Sequence, residues 1–171
     1  MLAAVATVQF AFGQTDDYCK ADMSEKQKAR AVVQEVIQSS IDRRAHRGPN
    51  GEIVSYIDSP APTHEEDAKI QAFGDTAVCA LAEYAMDKPT IEHYGLQQWA
   101  ALKLLASFKS DNALAAMVRF AKYSHPRSYA VTYMCAFPFE KTRSFMKKFA
   151  KDPDSDVREA AAQCLKSNSK P

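Results

Sequence analysis

The chain has 171 residues, enough for one domain of ordinary size that buries a core without staples. Gly is scarce at 5, while Ala, Lys, Gln, Glu and Leu are plentiful, a mixture that favours helices because these side chains lose little entropy there. No apolar run reaches the roughly 18 residues that a spanning helix requires, and a net charge of +1 argues neither for nor against nucleic acid. The charge is unevenly spread: residues 1–99 carry −6 and residues 100–171 carry +7. Such a split marks either a surface for an acidic partner or an uneven solvated exterior.

The first stretch, "MLAAVATVQFAFGQTDDYC", is apolar from Leu2 to Phe12 and then abruptly polar. Ala11 and Gly13 occupy the −3 and −1 positions for cleavage before Gln14, the pattern of a secretory leader over residues 1–13. The positive n-region is missing, as expected if translation begins upstream of Met1. The competing reading is an apolar helix packed on the core. Export would make the protein periplasmic or secreted; without it the protein is cytoplasmic.

Cys79, Cys135 and Cys164 lie in apolar helical patterns, where buried thiols behaving as small hydrophobes are expected. In an exported chain, one or two disulfides involving these and Cys19 are expected instead. The three full pairings of four cysteines stay open.

Residues 24–46 read as an amphipathic helix, with Ala29, Val32, Val33, Val36, Ile37 and Ile41 on one face. Ser24 and Gln27 suit a capping box at its start, and Arg43, Arg44 and Arg47 suit its negative end. "GPNG" (48–51) breaks the chain. "EIVSYI" fits a strand or a short helix equally, and "DSPAP" (58–62) is a turn. Thr63 and Glu66 form the next capping box, at a helix reaching about Phe73, and Gly74 permits a kink or cap before Asp75. Six helices then follow to Leu165, separated by joints at 87–90, 109–112, 124–127, 137–140 and 152–156.

These helices repeat. "DTAVCALAEYA" (75–85), "DNALAAMVRFA" (111–121) and "EKTRSFMKKFA" (140–150) align without gaps. Each begins with an acidic residue, carries Leu81, Met117 or Met146 six residues later, and ends in an aromatic–Ala pair. The second helices "QQWAALKLLA" (97–106), "RSYAVTYMCA" (127–136) and "VREAAAQCLK" (157–166) align at 30 residues, although a slip of one matches Arg127 to Arg158. Helix pairs at this period imply an α-solenoid, in which each unit buries its face against its neighbours.

The last unit, "DPDSDVREAAAQCL", resembles the second helix of a HEAT repeat, and "FGDTAVCAL" (73–81) resembles the first-helix entry. The resemblance covers about residues 73–167; the middle copy departs from it, with His125-Pro126 where Asp-Pro is usual. It implies an all-α fold of about three helix pairs behind an N-terminal helical extension. The expected organisation is a leader (1–13), an N-terminal helix and linker (14–62) and a repeat domain (63–171). It also implies a binding scaffold, since HEAT arrays serve chiefly in that way.

Catalytic chemistry finds little footing. The di-iron hydroxylases built from HEAT repeats carry several His-Glu dipeptides, and this chain has one, His64-Glu65. His46, His64, His93 and His125 form no i, i+4 ligand pair, so no metal site and no cofactor are expected. HEAT-like DNA glycosylases would need a basic inner face. Here Arg119 aligns with Lys148 and Lys122 with Lys151, all on first helices, the convex side of such stacks. That basic face suits phosphate or acidic surfaces, or is simply solvated. On the second helices Trp99 and Tyr129 take matched positions, with Tyr133 one turn beyond. They form either an aromatic platform for a partner or part of the core. The expected function is therefore non-catalytic protein–protein interaction, with nucleic-acid binding, including base excision, as the alternative.

Overall fold

The structure, a computed structural model, describes residues 19, 22–56, 62–86 and 95–168. The expected leader (1–13), residues 58–61 of the expected turn, the joint at 87–90 and His93 lie outside these residues. Among the described residues the chain is mostly helical, with two short strands.

Helix α1 (Met23–Arg44) buries Ala29, Val33, Val36, Ile37 and Ile41, the three-four stripe that its sequence predicts. Its cap is Asp22 rather than Ser24: Asp22 Oδ1 accepts from the Ser24 N–H at 2.8 Å and the Glu25 N–H at 3.4 Å. Ser24 is thus a helical residue with its own N–H capped, and the Ser24–Gln27 capping box does not form. The helix stops at Arg44, and β1 (Ala45–Arg47) pairs antiparallel with β2 (Ile53–Tyr56). The intervening turn closes through Gly48 N–H to Glu52 O at 2.8 Å, and Gly51 supplies its left-handed φ of 81°. Of the alternatives for "EIVSYI", Ile53–Tyr56 takes the strand, because the turn folds it back on β1.

Helix α2 (His64–Gln71) has the predicted capping box: Thr63 Oγ1 accepts from Glu66 N–H at 3.2 Å, and Glu66 accepts from Thr63 N–H at 2.8 Å. Glu66 does a second job. Arg43 grips it with both guanidinium nitrogens at 2.6 Å, which holds the Glu66 carboxyl down at about 2 and docks α2 on α1. Arg43 thus acts through this ion pair, not only through the dipole of its own helix. At the far end of α2, Gln71 donates to Ser107 at 2.7 Å, tying α2 to the next long helix but one.

Gly74, at φ 52°, turns the chain into α3 (Asp75–Met86). Helix α3 is the hub, buried at Ala77, Val78, Cys79, Ala80, Leu81, Ala82 and Ala85, and it packs against α1, α4 (Leu96–Phe108) and α5 (Asp111–Tyr123). Its four buried alanines let neighbours approach closely on several sides at once. Beyond it come α6 (Arg127–Met134), α7 (Phe139–Phe149) and α8 (Ser155–Ser167). Helices pair as α3 with α4, α5 with α6 and α7 with α8, and second helices touch along α4–α6 and α6–α8.

Residues aligned by the sequence repeat share an environment. Leu81, Met117 and Met146 are all fully buried, and Asp75 and Asp111 each open a helix. Along the second helices burial recurs at a spacing of 30, through Val131 and Ala161 and through Met134 and Cys164. The arginines instead recur at 31. Arg127 Nε donates to the carbonyl of Ala121 at 2.6 Å, and Arg158 Nη1 to that of Asp152 at 2.8 Å, each six residues back. Helix faces and joint contacts thus follow two registers, one residue apart.

The cysteines are not thiols. Cys19 is bonded to Cys79 and Cys135 to Cys164, with Cα separations of 5.1 and 5.7 Å, both within the normal disulfide range. The first ties the segment before α1 to α3, and the second ties the end of α6 to α8.

Candidate binding surface

Helix α4 carries Trp99 and Lys103 one turn apart, and α6 carries Tyr129 and Tyr133 in the same relation. Packing of α4 on α6 brings these two pairs together. The Trp99 and Tyr133 rings meet edge to face, centroids 5.7 Å apart, a favoured quadrupolar arrangement. Lys103 Nζ stands 5.0 Å from the Trp99 ring centroid, within cation–π range. Tyr129 is the outermost member, 36% exposed. Tyr133 is half-buried, and desolvation, with Tyr129 close by, pushes its hydroxyl well above the ordinary phenol range.

Core and surface were alternatives for these aromatics, and the geometry divides them. Trp99 and Tyr133 are half-buried against the core, leaving an edge outward, while Tyr129 projects. Neither α4 nor α6 contains a carboxylate, and with Arg127 forked onto Asp152 the cation beside the aromatics is Lys103. Aromatic faces, a tyrosine hydroxyl and one cation suit adhesive contact: large apolar area with a polar tip at low entropic cost. Lys103, which sequence reasoning did not join to these aromatics, belongs to the cluster. Its i, i+4 spacing from Trp99 was the available signal.

The four basic residues aligned on first helices occupy surface positions on α5 and at the end of α7. Arg119 is half-buried, and Lys122, Lys148 and Lys151 are exposed. Lys122 Nζ lies 3.3 Å from the Tyr123 hydroxyl and over its ring. Lys141 on α7 reaches Asp111 on α5 at 2.6 Å, linking the two first helices.

Cys19, Cys79 and Glu83 also converge, with potential ligand atoms within 4.8 Å of one another. The sulfurs are joined in a disulfide and hold no thiolate, while Glu83 pairs with Lys26 and lies 3.9 Å from Arg30. The carboxylate is thus already neutralised by two cations.

Comparison with protein-family models, with curated proteins and with solved structures gives no match.

Proposed function

We propose that the chain is a HEAT-type helical-repeat scaffold that binds a partner protein without catalysis, through the α4–α6 face. The observation that carries this reading is the aromatic cluster: Trp99, Tyr133 and Tyr129 on adjacent second helices, with Lys103 beside them and Tyr129 facing outward. The helix pairs, and the equal burial of Leu81, Met117 and Met146, support the repeat architecture beneath it. The two disulfides support an exported, periplasmic or secreted location, since such bonds persist in oxidising compartments.

Trp99→Ala separates contact from core. A contact residue resting on the core loses about 1–2 kcal/mol on truncation, roughly 3–6 °C for a chain of this size. A wholly structural tryptophan would cost about 3–5 kcal/mol. Thermal unfolding followed by circular dichroism distinguishes them, and a loss in the upper range would remove Trp99 from the proposed surface. The alternative, nucleic-acid binding through Arg119, Lys122, Lys148 and Lys151, requires salt-sensitive retention of a DNA duplex.

A further inference from the structure

The α7 helix turns only one side to the rest of the protein. Thr142, Met146 and Phe149 are buried, where α7 packs on α8 and α6. Its other side, continued to Lys151, exposes Lys141, Arg143, Lys147, Lys148 and Lys151; Glu140 is the one carboxylate of the helix itself, and Asp111 of α5 reaches Lys141. At 3.6 residues per turn these cations spread over an arc of roughly 160° along a helix about 16 Å long. Neighbouring cations therefore lie within about one Debye length, 8–10 Å, and their fields add. Lys141 is partly spent on Asp111, and the Arg143 guanidinium lies over the Phe139 ring, 5.9 Å from its centroid.

We propose that this face of α7 is a second contact surface, separate from the aromatic one, for an acidic segment of a partner polypeptide. Charge complementarity selects an anionic occupant. Four of the five cations are lysines, flexible point charges that can follow carboxylates dispersed along a segment without a fixed bidentate geometry. Of the three α7 phenylalanines, Phe139 and Phe145 are half-buried and Phe149 is buried, so the face lacks the open stacking platforms on which single-stranded bases rest. An acidic helix or extended segment of similar length meets one or two lysines at each turn.

The test uses the full chain with both disulfides intact and a fluorescein-labelled Glu-rich peptide of about 12 residues, matched to the length of α7. Anisotropy is read at about 25 mM and about 150 mM salt, with a short DNA duplex and anionic vesicles as competitors. Saturable binding of the peptide is expected, weakened at least about tenfold in R143E/K147E and less than about twofold in K28E/K109E, an equal charge change elsewhere. Should R143E/K147E fail to give the wild-type circular dichroism spectrum, R143Q/K147Q must show the same direction of loss. Equal weakening in both charge-reversal variants would reduce the effect to net charge and overturn the proposal. So would absence of saturable binding at low salt, or displacement of the peptide by duplex or vesicles at lower concentration than by unlabelled peptide.

Discussion

Replacing Cys19 and Cys79 by serine is expected to destabilise the protein by about 4.3 kcal/mol, and replacing Cys135 and Cys164 by about 3.6 kcal/mol, from the chain entropy restored to the unfolded state. The sequence separations of 60 and 29 residues set the order of the two effects. The folded state explains where the bonds are placed. Cys79 is fully buried on the hub helix, so its bond anchors the segment leading into α1, which packs on that hub. Among the described residues α8 packs chiefly on α6 and α7. A helix with few packing partners gains most from a covalent tie. Urea denaturation with and without reductant measures both effects, the double-serine variants assigning each loss to its bond. Midpoints that do not move with reductant would show that the chain is held without these bonds.

Arg127→Ala is expected to cost about 3 kcal/mol, the range for removing one member of a largely desolvated, hydrogen-bonded ion pair. The guanidinium forks onto Asp152 at 2.8 and 2.6 Å and donates its third nitrogen to the Ala121 carbonyl at 2.6 Å. The side chains are only 18% and 11% exposed, so truncation leaves the Asp152 carboxylate partly buried without its fork. Asp152 also accepts the Asp154 N–H at 3.0 Å, and its own carbonyl receives Arg158, so one residue organises the joint between α7 and α8. Arg127→Lys keeps the charge but not the paired geometry and should recover about half of the loss. Arg127 holds the Asp152 carboxyl below the usual range, so this contribution is complete above the ordinary aspartate pKa. It fades as pH falls through the depressed native value. Urea midpoints at neutral and acid pH should therefore differ more in the wild type than in Arg127→Ala.

Local signals survived folding best. The Thr63 capping box, the glycine at 74 and the apolar stripe of α1 depend on neighbours within a turn or two, and each is as its residues predict. The six helices from Asp75 onward were legible because Pro, Ser and Asp interrupt a strong helical rhythm at every joint. Asp22 and Ser24 are both good acceptors two residues apart, and the difference between them is which backbone turns first; composition does not encode that. Pairing of Cys19 with Cys79, or of Arg127 with Asp152, joins residues 60 and 25 positions apart and appears only when the helices pack. The same holds for Lys103 over Trp99: their spacing is local, but the site exists because α6 brings Tyr133 to the indole.

Occupancy of the proposed α4–α6 aromatic face by a partner can be read by placing a photo-crosslinking side chain at position 129 in the protein in its native host. Ala115, exposed on α5, provides a control position on a first helix. A discrete protein adduct is expected from position 129, absent from position 115 and lost when Trp99→Ala is added. No adduct at position 129, an adduct equally strong at both positions, or one that disappears on nuclease treatment would contradict it.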